Sequence, residues 1–307
     1  MKVAVIGAGV MGPGVAQVFL MGGHDATLVD ISEDALVKGL KEVEKCLGLM
    51  EEQGLIQGGD EMFTRLSCTS SLEEGVNDAD LIVEAVPEKL EVKMEIYNQL
   101  DPLCKPDAVI VSNTSSFPVS VIFSDFRPGN FFVAHFFNPP AINPLVEIVH
   151  NDQTDIEKVK WVRKILEDCG KKPVVLSDYV MGFLLNRMQM AMLREGLNLM
   201  EQGIVSMEDM DTATQVGLGF KTAWQGMFRT MDFIGLDTVE FAQNILLPTL
   251  YDGTESPKII SDMIAEGKLG LKTGKGFFEY GDEGEATQER RFMQQVEQLK
   301  LYKKFGI

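Results

Sequence analysis

The chain is short of basic charge, of cysteine and of long apolar runs, and each shortage removes a class of explanation. Its 28 lysines and arginines are outnumbered by 46 acids, a formal net charge of −18 over 307 residues. Phosphate backbones and anionic bilayers are bound through clustered cations, so neither a nucleic acid nor a membrane is an expected partner, and a polyanionic substrate is disfavoured. Four cysteines, Cys46, Cys68, Cys104 and Cys169, are scattered without a CxxC pair. That excludes a zinc knuckle and a disulfide framework, fits reduced thiols, and leads us to expect no metal. No uninterrupted apolar run approaches the ~20 residues that cross a bilayer. The first strand-like run begins at Val3, which leaves no room for a leader ahead of it, so the expected compartment is the cytoplasm. Repeats and disorder-prone tracts are missing too, and the length exceeds what one core usually organises. A two-domain globular enzyme is the expectation.

What is present begins at the first residues, VAVIGAGVMGPGVAQVFL, which read as strand, glycine turn and helix. Gly7 would permit the tight turn, Gly9 would let backbone N–H groups approach a pyrophosphate, and Gly12 would let the helix pack closely on the strand. The helix N-terminus would then hold the phosphates. A further strand, ATLVD, ends in Asp30 about twenty residues on, where a carboxylate can accept from a ribose diol and repel a 2′-phosphate. NAD is therefore the expected cofactor, rather than NADP.

The segment FFVAHFFNPPAINPLVEIV sets His135 and Glu147 symmetrically about a proline-rich turn. A hairpin centred near Ala141 would bring the two side chains together. Histidine takes up and releases a proton near neutrality, and a buried carboxylate beside it would fix its tautomer and stabilise the imidazolium. His24 and His150, one before a strand and one ending a strand, carry no such partner and read as ordinary structural residues.

Strand-like runs at 80–86, 107–113, 131–137, 145–149 and 173–176 alternate with helical patterns, the mark of an α/β doubly wound parallel sheet. After Asp178 the texture turns to long helical runs, and strand signals vanish until FFEY at 277–280. The expected domains are thus 1–178, binding the dinucleotide, and 179–307, all-helical. Ser206 reads as an N-cap, with Gly217 and Gly219 marking the stop of its helix. The methionines at 188–192 read as packing or a subunit interface. A last helix from Glu285, with Phe292, Val296, Leu299 and Phe305 at helical spacing, reads as packing on its own domain or on a partner subunit.

In order along the chain, GAGVMG, VEAVPEKLEVK, SNTSS, HFFNP with LVE ending twelve residues after its histidine, GFLLNR and GLKTGKGFFEY resemble the 3-hydroxyacyl-CoA dehydrogenase family. The resemblance implies a Rossmann-type domain followed by a helical domain that forms a homodimer, and NAD-dependent oxidation of a secondary alcohol in fatty acid metabolism. By the same resemblance His135 is the general base and Glu147 polarises it, while Ser115 and Asn186 hydrogen-bond the reacting oxygen. Glu88 and Lys93 correspond to positions that contact the nicotinamide half of the cofactor, and Asn138 to a residue that steadies the site. Each also has an ordinary reading. Ser115 or Ser116 could cap the next helix, Lys93 could form a salt bridge with Glu91 or Glu95 on a solvated face, and Asn186 could sit on an interhelical face.

The substrate signals divide. The insert PAINP places Pro144 where acyl-CoA members resembling this chain carry a lysine, and residues 33–61 offer only Lys38, Lys41 and Lys45 among many acids. The first feature resembles the branch of the family that acts on free hydroxy acids, with L-gulonate dehydrogenase and the lambda-crystallins, and the second weakens the case for holding CoA phosphates. Arg229 is the candidate cation for a free carboxylate, or a plain surface arginine. HFFNP and KTGKGFFEY favour the acyl-CoA branch. The expected activity is oxidation of a short-chain L-3-hydroxyacyl-CoA, with a free small 3-hydroxy acid as the alternative. A non-catalytic, structural or NAD(H)-sensing role on the same fold stands as a further alternative.

Overall fold

A computed structural model of the chain describes residues 1–118, 127–281 and 283–306. The residues that follow the expected cap at Ser115 or Ser116, 119–126, lie outside the described residues. By contact the chain divides into two compact units: Met1–Leu184 together with Gln294–Lys304, and Leu185–Met293 together with the last residues from Phe305.

The first unit runs β1 (Lys2–Ile6), α1 (Gly12–Met21), β2 (Asp25–Val29), α2 (Glu33–Glu52), α3 (Gly59–Phe63), β3 (Leu66–Thr69), α4 (Leu72–Val76), β4 (Leu81–Glu84), α5 (Leu90–Leu103), β5 (Val109–Ser112), β6 (Phe131–Phe136), β7 (Leu145–Val149), α6 (Ile156–Asp168) and β8 (Lys172–Leu176). The eight strands form one sheet in the order β3-β2-β1-β4-β5-β6-β7-β8. Every neighbouring pair is parallel except β6 and β7. Strand side chains alternate between faces, so Val3 and Val5 enter one apolar cluster while Ala4 and Ile6 enter another. Both faces are covered, which is why the inner strands read as unbroken apolar runs rather than as alternating ones. Short polar caps start the intervening helices: Ser32 accepts from the Ala35 N–H, Ser71 from Glu74 and Asp155 from Glu157.

The second unit holds α7 (Leu185–Glu201), α8 (Met207–Thr212), α9 (Phe220–Ile234), α10 (Leu236–Leu246) and α11 (Lys258–Ala265), and the chain ends with α12 (Gly284–Phe305). Ser206 caps α8 as its sequence suggests, accepting from the Asp209 N–H at 3.0 Å. The expected stop at Gly217 and Gly219 does not occur. Residues 213–219 continue as a π-helical turn straight into α9, with Gly219 at helical φ −58° and ψ −44°. A glycine ends a helix by turning left-handed, and Gly219 keeps the right-handed conformation. FFEY forms no strand either; Lys275 and Glu279 make an isolated antiparallel bridge.

The last helix departs from the expectation that all of 179–307 is one helical domain. Its second half belongs to the first unit, where Val296 and Leu299 are buried, Lys300 Nζ donates to Gln53 Oε1 at 2.9 Å and Lys303 Nζ to the Leu55 carbonyl at 3.2 Å.

Candidate functional site

The glycine turn after β1 has the geometry that a dinucleotide requires. Gly7 adopts φ +106°, open to glycine at little cost, and a Cβ on Gly12 would lie 1.7 Å from the Gly7 carbonyl oxygen. Nothing lies within 4 Å of a Cβ built on Gly9, so the space above that residue is open to a ligand. The first turn of α1 carries neither a capping side chain nor an acid, which leaves its N–H groups to an anion. Asp30 directly follows β2 and ties the turn together, its Oδ2 accepting from the Ala8 N–H at 2.7 Å and its Oδ1 from the Ser32 N–H at 2.9 Å. One lone pair on each oxygen remains for a ribose hydroxyl.

His135 and Glu147 face one another directly in the antiparallel register of β6 and β7. His135 Nδ1 lies 3.0 Å from Glu147 Oε2, and both residues are buried. The other carboxylate oxygen of Glu147 accepts from the Leu184 N–H at 3.0 Å. Nε2 of His135 has no partner among the described residues and is the ring nitrogen available to a substrate. Two rings hold the imidazole: Phe137 at 4.4 Å and Phe183, edge-on, at 5.6 Å between centroids. Phe183 has φ +50°, a conformation that costs a non-glycine residue about 1–3 kcal/mol. The bend sets its ring on His135 and its neighbour's N–H on Glu147. Asn113 Oδ1 accepts from the Phe136 N–H at 2.8 Å and so pins β6 beside the histidine.

A second polar network lies at the ends of β4 and β5. Glu84, wholly buried, receives Lys93 Nζ at 2.8 Å, the Val86 N–H at 2.8 Å, the Ser112 hydroxyl at 2.6 Å and the Tyr97 hydroxyl. Burial, the charge of Glu84 and the hydrogen bond to it push the Tyr97 phenol well above its ordinary pKa. Lys93 also pairs with Glu88 at 3.2 Å. Glu88 Oε1 in turn gathers the Thr114 hydroxyl at 2.6 Å, the Ser116 hydroxyl at 2.9 Å and the Ser115 N–H at 3.1 Å. Burial alone would raise the Glu88 pKa; the two hydroxyls and the lysine ammonium outweigh it and hold the carboxyl below its usual value. Among the described residues the Ser115 hydroxyl has no hydrogen-bond partner in the chain, so the network fixes its backbone and leaves its side chain to a ligand.

Sequence-predicted residues thus fall into three groups. Gly7, Gly9, Gly12 and Asp30 form the dinucleotide turn, His135 and Glu147 form the pair, and Glu88 joins Lys93 to the Ser115 loop. Lys93 is neither on a solvated face nor paired with Glu91 or Glu95; at 1% exposure its ammonium is enclosed by Glu84 and Glu88. Asn138 is exposed at the start of the proline-rich turn, and Asn186 lies in the first turn of α7, in the second unit. Glu84, Asn113, Phe183 and Tyr179, whose hydroxyl donates to the Ser116 carbonyl at 2.7 Å, were not legible as site residues. For Glu84 a signal existed: an acid in the wholly apolar run LIVEAV must be paired when buried.

The family model for the 3-hydroxyacyl-CoA dehydrogenase NAD-binding domain matches residues 2–179, and that for the C-terminal domain matches 182–280. The chain belongs to the 3-hydroxyacyl-CoA dehydrogenase family. It is an NAD-dependent oxidoreductase built on a mostly parallel Rossmann-type sheet with a helical C-terminal region. A probable 3-hydroxybutyryl-CoA dehydrogenase of Deinococcus radiodurans is 35% identical over 283 residues, covering 91% of this chain and 100% of that one. The mitochondrial hydroxyacyl-coenzyme A dehydrogenase of Mus musculus is 35% identical over 296 residues, covering 91% and 90%. Among solved structures, the 5-formyl-3-hydroxy-2-methylpyridine 4-carboxylic acid 5-dehydrogenase, described as an NAD+-dependent dismutase, superposes with a TM-score of 0.89 at 29% identity over 96% of both chains. The family member described here has no helix, among its described residues, long and apolar enough to cross a membrane. No cluster of metal-binding side chains is found among those residues.

Proposed function

We propose that this family member moves a hydride between NAD and the 3-hydroxy carbon of a short-chain L-3-hydroxyacyl-CoA, with His135 as general base. The observation that carries this reading is the buried contact of 3.0 Å between His135 Nδ1 and Glu147 Oε2, which leaves Nε2 for the substrate. Glu147 holds the proton on Nδ1, so Nε2 keeps a lone pair to accept the hydroxyl proton, and the carboxylate stabilises the imidazolium that results. The bound nicotinamide supplies the hydride acceptor in oxidation and the donor in reduction. The Ser115 hydroxyl and the Asn186 carboxamide would hydrogen-bond the reacting oxygen, and Glu88 with Lys93 would set the loop beside the nicotinamide. The same reading includes a cytoplasmic setting, a role in fatty acid metabolism and a homodimer formed through the helical unit.

A free 3-hydroxy acid is the second reading, supported by the overlay on a dehydrogenase whose named substrate is a pyridine carboxylate. Pro144 and the acid-rich α2 also favour it, since Pro144 brings no cation to CoA phosphates and the three lysines of α2 stand among six acids.

Loss of NADH absorbance, followed with acetoacetyl-CoA and with acetoacetate in parallel, separates the two, with His135→Ala as control. Turnover of the thioester alone supports the first reading. Turnover of the free acid alone replaces it with the second and makes Arg229 the next residue to substitute. Undiminished turnover by His135→Ala overturns the proton-transfer role under either substrate.

A further inference from the structure

The turn that joins β6 to β7, Asn138–Pro144, contains three prolines and therefore carries seven carbonyls but only four N–H groups. It is also covered: Pro140, Ala141 and Ile142 are all buried. A buried turn so rich in acceptors needs donors from elsewhere. Its own Ile142 and Asn143 N–H groups both return to the Pro139 carbonyl, at 3.1 and 2.9 Å, which leaves the carbonyls of Pro140, Ala141 and Asn143 without backbone partners inside the turn.

Lys171, between α6 and β8, meets that need. Its side chain is buried, and its ammonium donates to the carbonyls of Pro140, Asn143 (3.0 Å) and Ala141 (3.4 Å). Three N–H bonds meet three acceptors, and among the described residues no carboxylate pairs with the charge. On its other side the turn touches the dinucleotide-binding helix: a Cβ placed on Gly14 would lie 2.8 Å from Pro140 Cδ. The pyrrolidine ring of Pro140 therefore rests on the first turns of α1, whose N-terminal N–H groups would hold the pyrophosphate.

We propose that Lys171 is a positioning residue for the cofactor site, holding the 139–143 turn so that Pro140 braces α1 in the orientation that binds NAD. The inference rests on the NAD-binding turn and not on the proton-transfer role of His135. The side chain acts through the turn and touches neither cofactor nor substrate. Titratable groups facing it are Cys169 at the end of α6, whose thiol burial pushes up to about 11, and Lys303 of α12. Burial pushes the Lys171 ammonium down to about 8. Above that pH its amine has two N–H groups for three carbonyls.

The test is direct titration of NADH by its fluorescence, with the folded state of each variant checked by circular dichroism. Lys171→Met should raise the Kd for NADH by about tenfold, the size of a lost hydrogen bond to a charged group. Pro140→Ala should do the same, and the double variant should be no weaker than either single one. The affinity of the unsubstituted protein should fall as pH rises through about 8, while that of Lys171→Met stays level over the same range. A folded Lys171→Met with unchanged affinity, additive effects, or matching pH profiles would each overturn the proposal. Should Lys171→Met fail to fold, unchanged NADH affinity in Pro140→Ala overturns it equally.

Discussion

In the first unit Val3, Val5, Leu28, Ile82 and Val111 are each at most 2% exposed, while in the second Phe220, Phe228, Phe233 and Phe241 are each at least 68% exposed. None of α7 to α11 contains a buried residue. The sheet unit satisfies its own hydrophobic surface, because its inner strands sit between two covered faces. Amphipathic helices without a covered face cannot offset the conformational entropy of ordering them, so helices that are all uncovered need further apolar surface to rest on. A second copy of the chain is the partner our functional reading assigns to them. That reading places the His135–Glu147 pair in the first unit and the unburied apolar surface in the second.

The contrast can be broken first at the chemical end. His135→Ala should lower kcat by a factor on the order of a hundred to ten thousand while leaving the state of assembly, read as mass by sedimentation, unchanged. A loss under tenfold, or a change of mass, would show that the pair does not act alone or that the units are not separable. Next in size is Glu84→Gln, which should destabilise the protein by about 3 kcal/mol in urea titration, the low end for breaking a buried ion pair because Lys93 keeps Glu88 at 3.2 Å. Stability within about 0.5 kcal/mol of the parent would mean that the sheet unit does not depend on this network. On the helical side, Phe228→Glu should weaken self-association by about 1.5–3 kcal/mol, read by sedimentation as a shift to monomer. A protein already monomeric and fully folded before substitution would remove the reason for the comparison.

The smallest effect concerns acid. Glu88 is held below its usual pKa, so its contribution to stability is complete above the unfolded value and is lost as pH falls through the folded one. Acid should therefore release the Thr114–Ser116 loop, and Glu88→Gln should flatten that part of the acid-unfolding curve. An identical curve in the variant would assign acid sensitivity to other carboxylates.

The sheet and its hairpin were readable because period and chain symmetry act locally. Placing His135 and Glu147 at equal distances from a turn nearly dictates that they face each other once the strands pair. β3, LSCT, was not readable: it is short, polar and at the sheet edge, and only its pairing with β2 makes it a strand. The pairing of Lys93 with Glu84 is not legible in the sequence, because a helical lysine among glutamates looks the same whether its helix faces water or a buried acid. The stop expected at Gly217 and Gly219 failed for a related reason, since glycine permits a turn but does not compel one.

By itself the sequence determined the dinucleotide turn, through Gly7, Gly9, Gly12 and Asp30, and the pairing of His135 with Glu147, because both follow from spacing along one or two adjacent elements. Only the tertiary structure decided that Glu84 gathers Lys93, Tyr97 and Ser112, that Phe183 bends against His135, and that Lys171 supplies donors to a turn some thirty residues before it. Those partners are distant in the chain, and what joins them is the requirement that buried polar groups find each other once water is excluded.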